Sequence, residues 1–174
     1  RGFCIQRCGH DKRGDQGHRG GHAKTETPVV SNNSAHRWTP DVPMMVPEIN
    51  PEHAEVIEAQ KKRLGTRKGF VAVKPNCSLQ SYAPVRTRWN EFEPVEVVAT
   101  TYQAISGAGK TFQDWPEMVG NIIPYIGGEE EKSEKEPLRI WGKVRDGAIV
   151  PAKGPVITCQ CIRVPVLNGH TAAV

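Results

Sequence analysis

No stretch of this 174-residue sequence approaches the roughly 20 consecutive apolar residues of a membrane-spanning helix. The first residues also lack the apolar run of a secretory signal. These absences predict a chain without a membrane partner and make the cytoplasm its expected compartment. Cysteine is scarce: five residues, an odd count in no framework spacing, fit free thiols in a reducing compartment better than a disulfide scaffold. Internal repeats are absent. A broad charge excess is absent too. Six of the 23 basic and two of the 19 acidic side chains fall in residues 1–25, so the whole net charge of +4 sits there and the remainder is balanced. No electrostatic footprint for nucleic acid is expected on the body of the protein.

What residues 1–25 do contain is unlike the rest. They hold six of the 17 glycines and three of the six histidines, with Phe3 and Ile5 as the only large apolar residues. Such a segment cannot bury enough surface to fold alone, and a disordered basic stretch is one expectation. Cys4, Cys8, His10, His18 and His22 are possible zinc ligands, but their spacing matches no common zinc pattern, and no metal is expected. A one-nucleotide shift of reading frame across residues 4–22, with permitted codons, yields a strand-like start followed by an amphipathic helical pattern. Residues 1–25 are therefore expected to be disordered or frameshifted.

From Thr27 onward the pattern becomes orderly. Residues 28–31 and 42–46 read as short strands, each ending at turn formers. Asn50 followed by Pro51 predicts a capped helix start, with the helix running over 51–63 and closed by Gly65. The apolar run 69–73 predicts a buried strand, followed by a turn at Cys77 and a helix in which Pro84 must lie near the start or force a kink. β-branched residues predict a strand over 95–102. Residues 129–141 read as a helix with an acidic first turn, interrupted in pattern by Pro137, and residues 156–164 alternate as a strand. Strand and helix patterns interchange, so the class is α/β or a mixed α+β sheet.

Cys77 stands out as a candidate nucleophile in Lys74-Pro75-Asn76-Cys77-Ser78. At a strand end and ahead of a helix, its sulfur is expected near unpaired N–H groups that favour a thiolate and can then hold an oxyanion. Cys159 and Cys161, two apart on a strand, face one side and suit packing. Arg163 can grip a carboxylate bidentately, and His170 can shuttle protons near neutral pH, although each by itself also suits a surface ion pair or a loop. Ser106-Gly107-Ala108-Gly109 is a glycine turn without the spacing of a dinucleotide fingerprint. Together these parts describe nucleophilic aldehyde or acyl chemistry.

A set of segments in one order makes this specific. Ser31-Asn32-Asn33-Ser34-Ala35-His36-Arg37, Asp41-Val42-Pro43, Pro47-Glu48-Ile49-Asn50-Pro51-Glu52-His53, Pro75-Asn76-Cys77-Ser78, Gln103 to Gly109, Asn121-Ile122-Ile123-Pro124-Tyr125-Ile126, Glu129 to Lys132, and Arg163-Val164-Pro165 with Gly169-His170 resemble the aspartate-semialdehyde dehydrogenase family. The resemblance runs from about residue 27 to the end. It implies NADPH-dependent reductive dephosphorylation of L-4-aspartyl phosphate to L-aspartate 4-semialdehyde, toward lysine, threonine, methionine and isoleucine. It further implies that Cys77 attacks the β-carbonyl, that His170 is the general acid/base and that Gln103 positions the acyl centre. Arg163 would hold the α-carboxylate, Glu129 or its neighbour Glu130 the amino group, and Arg37 with Lys132 the phosphate, with Asn76 also at the substrate. Ser106 and Gly107 would lie against the nicotinamide of NADP, and Ser31 and Asn32 near the rest of that cofactor.

The implied architecture is α/β: the end of a Rossmann-like NADP-binding domain over residues 26–75, then part of an α+β catalytic and dimerisation domain with a mixed sheet over 76–174. Family members assemble as homodimers or homotetramers. The family's opening strand and phosphate-binding loop find no match before residue 27, and its last strands and long helix find none after Val174. The stretch 85–89 is more basic than is usual there. A central fragment that binds NADPH poorly and turns over little is therefore expected. Other readings are an acyl reductase of the malonyl-CoA or N-acetylglutamyl-phosphate type, and a non-catalytic remnant.

Overall fold

A computed structural model describes residues 4–6 and 20–174. The chain forms two compact units, Arg1–Pro75 with Arg139–Ala152, and Asn76–Leu138 with Lys153–Val174. Of the first 25 residues, 4–6 form a strand and 20–24 are helical. Cys8, His10 and His18 lie outside the described residues, as does most of the stretch on which the reading-frame argument rests. Among the described residues no three His, Cys, Asp or Glu side chains are grouped to hold a metal, and no helix is long and apolar enough to cross a membrane.

The first unit is built on three short parallel strands, β1 (Cys4–Gln6), β2 (Val29–Ser31) and β3 (Val71–Val73), in that order. Parallel neighbours need a crossover. Between β2 and β3 it is a 3-10 turn, Pro51–Glu55, running into helix α1 (Val56–Leu64). Gly65 ends α1 at φ 69°, a left-handed conformation that glycine adopts without a Cβ penalty. All three residues of β3 are buried, as expected for a parallel strand covered on both faces. The core gathers Ala23, Val29, Val42, Met44, Val71 and Val73, with Leu64 packed against it.

Three local expectations are corrected here. Residues 42–46 are not a strand: Met44 makes one isolated parallel bridge to Val73, because Pro43 has no N–H and Pro47 soon ends the extended run. Asn50 precedes the helical segment but does not cap it with its side chain. Its Nδ2 donates to the Met44 carbonyl (2.9 Å) and the Ile140 carbonyl (3.3 Å), while its Oδ1 accepts the Val46 N–H (2.8 Å). The first five residues of the expected helix are 3-10 in form. Among the elements missed is the hairpin β5 (Lys143–Arg145) and β6 (Ala148–Val150). Its Asp146-Gly147 turn, with φ of 50° and 74°, is the two-residue type favoured by strand twist, and the Asp-Gly pair was its signal in the sequence.

The second unit carries a mixed sheet in the order β7-β4-β8. β4 (Glu96–Gln103) and β7 (Val156–Arg163) run parallel over eight pairs, from Glu96 opposite Val156 to Gln103 opposite Arg163. β8 (Thr171–Ala173) joins β4 antiparallel, with Thr171 opposite Tyr102. On β4 the buried side alternates cleanly, Val97, Ala99, Thr101 and Gln103. Helix α3 (Glu129–Ile140) lies along the outer edge of β7. Its Glu134 and Glu130 accept the N–H groups of Cys159 (3.2 Å) and Cys161 (3.3 Å), which closes a row of donors that an edge strand would leave open. The chain is thus a mixed α/β structure whose second unit contains a mixed sheet, as the sequence predicts.

Candidate active site

Register alone brings three chemically capable residues to one end of the second unit's sheet. Gln103 is the last residue of β4, Arg163 is its partner at the end of β7, and His170 immediately precedes β8. Between β7 and β8 the chain turns at Gly169, whose φ of 88° lies in the left-handed region. Residues 164–167 are tied to the glycine turn, the N–H groups of Ile105 and Ser106 donating to the carbonyls of Val166 and Leu167.

Cys77 meets His170 here. The cysteine is exposed, and its sulfur stands 3.4 Å from His170 Nε2. The other ring nitrogen, Nδ1, accepts the backbone N–H of Ala104 at 3.1 Å. With Nδ1 an acceptor, the proton of the neutral ring sits on Nε2 and faces the sulfur. The carbonyl of the same Ala104 accepts from Arg163 Nη1 at 2.7 Å, so the backbone of one residue orients both the imidazole and the guanidinium. The stretch after Cys77 differs from expectation. It is a three-residue 3-10 turn, Leu79–Ser81, and helix α2 (Ala83–Arg88) starts only afterwards with Pro84 in its first turn. A helix dipole sums over aligned peptides, so so short a turn contributes little to the sulfur. His170 is its specific partner instead.

A second layer of polar contacts surrounds this pair. Glu129 accepts from Lys132 Nζ at 2.6 Å and from Asn76 Nδ2 at 2.8 Å, with Gln103 a further hydrogen-bond partner. Burial by itself would raise the Glu129 carboxyl, but the hydrogen bond and charge of Lys132, with Asn76 and Gln103, hold it below the ordinary glutamate value. Glu130, one residue on, is turned to the Cys161 N–H and lies outside this group. Gln103 is buried and donates to Thr101 Oγ1. Burial pushes the Arg163 guanidinium down from its usual value, opposed by Glu129 and Cys77. Asn76 Oδ1 accepts both the N–H (2.8 Å) and the Oγ (2.6 Å) of Ser78, which fixes which way its amide points.

Gly107 is exposed and has the tightest surroundings of the glycine turn. A Cβ placed there would stand 2.9 Å from both Arg163 Nη1 and His170 Cε1. Cys159 and Cys161 play no part in this chemistry: both are buried with their sulfurs 3.8 Å apart, and the hydrogen bond between them together with burial pushes the Cys159 thiol up. The remaining candidates belong to the first unit. Ser31 ends β2 and accepts the Asn33 N–H, Asn32 is exposed, and Arg37 is buried with its guanidinium on the Asn32 and Lys74 carbonyls. Ala104 and Thr101 were missed as members of the second unit's site, since a backbone donor and a small polar side chain carry no motif.

Residues 84–174 match the family model for the semialdehyde dehydrogenase dimerisation domain. The aspartate-semialdehyde dehydrogenase of Methanothermobacter thermautotrophicus is 42% identical over 147 residues, 84% of this chain and 42% of that protein. The Aspergillus fumigatus enzyme of the same name is 38% identical over 157 residues, 87% of this chain and 43% of that protein. Among solved structures, the aspartate-semialdehyde dehydrogenase of Candida albicans with NADP superposes with a TM-score of 0.78 at 36% identity, over 94% of this chain and 47% of that one. The chain spans about two fifths of the length of the curated relatives it matches.

Proposed function

The chain belongs to the aspartate-semialdehyde dehydrogenase family, and from that premise we propose that it serves the NADPH-dependent conversion of L-4-aspartyl phosphate to L-aspartate 4-semialdehyde and phosphate. The biosynthetic role is the supply of that aldehyde toward lysine, threonine, methionine and isoleucine. The observation that carries the reading is the Cys77–His170 contact of 3.4 Å, set in one unit with Gln103, Arg163 and Glu129.

The Cys77 thiolate attacks the β-carbonyl carbon; the carbon–sulfur bond forms, the carbon–oxygen bond to phosphate breaks, and phosphate leaves with that bond's electron pair. When bound, NADPH supplies the hydride that reduces the resulting thioester. The carbon–sulfur bond then breaks with its electron pair returning to sulfur. His170 Nε2–H, aimed at Sγ by the Ala104 N–H, stabilises the sulfur as it leaves. Arg163 holds the substrate α-carboxylate, and Gln103 orients the acyl centre. Glu129, kept ionised by Lys132, takes the ammonium group, and Asn76 holds Glu129 in place. Lys132 is the second unit's cation for the phosphate; Arg37 belongs to the first unit, where its guanidinium donates to the Asn32 and Lys74 carbonyls, and its phosphate role rests on the family resemblance alone.

The glycine turn fits the nicotinamide. Gly107 offers bare backbone beside His170 and Arg163, so a flat ring can approach where any side chain would crowd both. Ser31 and Asn32 sit at the carboxyl end of a parallel strand, the end at which dinucleotides bind in Rossmann-like sheets, and the first unit is read as the end of such a domain. A homodimer is the proposed assembly. The family model is a dimerisation domain, and the face of β4 away from the core leaves Val98 70% and Tyr102 39% exposed.

Protection of Cys77 tests the substrate reading without requiring turnover. L-aspartate 4-semialdehyde with phosphate is expected to slow alkylation of Cys77 by iodoacetamide, followed site by site by mass spectrometry, and Arg163→Leu to abolish the protection. An intact chain that shows no protection refutes the reading. Protection by a malonyl thioester of coenzyme A instead would redirect it to the acyl-CoA class.

A further inference from the structure

The inward stripe of α3 contains a residue that the reaction above does not use. Ser133, Glu136, Pro137 and Ile140 follow the helical spacing of one face and are all buried. A glutamate with no exposed surface is costly unless its oxygens are engaged. Glu136 Oε2 accepts the backbone N–H of Asn76 at 2.6 Å. Asn76 is the residue immediately before the nucleophile.

The rest of the nucleophile segment is fastened to the same helix. Ser78 Oγ and Ser133 Oγ are 3.3 Å apart. Pro137 has no N–H to donate to the carbonyl four residues earlier, that of Ser133, and the Tyr82 hydroxyl donates to that carbonyl instead, at 3.3 Å. Residues 76, 78 and 82 are thus held at three points while Cys77 itself is exposed. The Glu136 contact holds the Pro75–Asn76 peptide, one residue ahead of Cys77.

We propose that Glu136 is a positioning residue for Cys77: by accepting the Asn76 N–H it holds the sulfur against His170. The proposal rests on the reading of Cys77 as the nucleophile, but its test reads the thiol directly and needs neither substrate nor cofactor. In Glu136→Leu the acceptor is gone, and the rate of Cys77 alkylation by iodoacetamide falls by about ten-fold, the scale of one lost buried hydrogen bond. Glu136→Gln keeps an acceptor oxygen at the same reach and stays within about three-fold of the parent. In a His170→Ala background the Glu136→Leu effect disappears, because there is no longer a partner to be held against. Mere loosening of the fold moves the rate the other way or not at all, since Cys77 is already accessible.

An unchanged rate in Glu136→Leu overturns the proposal, as does a fall that persists in full without His170. Should Glu136→Leu fail to fold, Glu136→Asp, which withdraws the carboxyl by one methylene, is read in the same way: a slowed Cys77 supports the proposal and a parent rate overturns it. Loss of semialdehyde protection with these alkylation differences intact would refute the substrate reading and leave the role of Glu136 standing.

Discussion

Replacing Gly107 with alanine probes the site through a single methyl group. The φ of Gly107 lies outside the left-handed region, so alanine meets no backbone strain, and the effect is steric alone. The new Cβ would lie 2.9 Å from Arg163 Nη1 and His170 Cε1, and 3.1 Å from His170 Nε2. Carbon and nitrogen prefer about 3.5 Å, so each group must retreat by about 0.5 Å. Both are fastened to Ala104, by bonds of 2.7 Å from Arg163 and 3.1 Å to His170, so retreat stretches a hydrogen bond on each side. Overpacking of this kind costs about 1–3 kcal/mol; the turn is exposed and can tilt, which places the expected cost at about 1–2 kcal/mol. Moving His170 away from a sulfur now 3.4 Å distant should slow Cys77 alkylation by about ten-fold. Urea unfolding and site-resolved alkylation measure the two quantities. Gly127→Ala, with no atom within 4 Å of its Cβ, is the control. If Gly107→Ala reacts and unfolds like Gly127→Ala, the packing of this turn against His170 and Arg163 is not what the geometry says.

Three further outcomes follow from named contacts. Tyr82→Phe should cost about 1 kcal/mol in urea unfolding by orphaning the Ser133 carbonyl, and less in a Pro137→Ala background, where a restored N–H serves that carbonyl; equal costs in both would refute the link. Gln60→Leu should destabilise by about 3 kcal/mol, because buried Gln60 donates to the Asp41 and Val71 carbonyls and accepts the Val71 N–H at 2.6 Å; a change below about 1 kcal/mol would show those groups re-paired. Glu129 titrates below its ordinary value in the folded chain, so its contribution is complete above the ordinary carboxyl range and is lost as pH falls through the depressed value; unfolding of the parent followed from about pH 6 to about pH 3 should show an acid limb that Glu129→Gln flattens.

The legible part of this protein was local. The strands at 29–31, 71–73, 96–103 and 156–163 were expected to within two residues, because β-branched runs bounded by turn formers admit few alternatives. The left-handed stop at Gly65 and the placing of Pro84 in a first turn follow from the backbone freedom of those two residues alone. Residues 42–46 were misread because their apolar character reports burial, and burial does not require a ladder. The helix after Cys77 was misread because its composition permits a helix without saying whether the first turn is α or 3-10.

Sequence by itself determined the chemistry available: a cysteine at a strand end, a glycine turn, and an arginine and a histidine seven residues apart, in the order of one enzyme family. Tertiary structure alone decided the rest. The parallel register of β4 and β7 sets Gln103 opposite Arg163, and β8 returns antiparallel so that His170 arrives beside Cys77. The choice between Glu129 and Glu130 was open in the sequence, since adjacent acidic residues look alike; the 100° turn between neighbours on a helix sends one toward Asn76 and Lys132 and the other to a strand edge. Glu136 lay unremarked in a charged helix for the same reason. Which face of α3 is covered depends on what packs against it, and that is a property of distant segments brought together by folding.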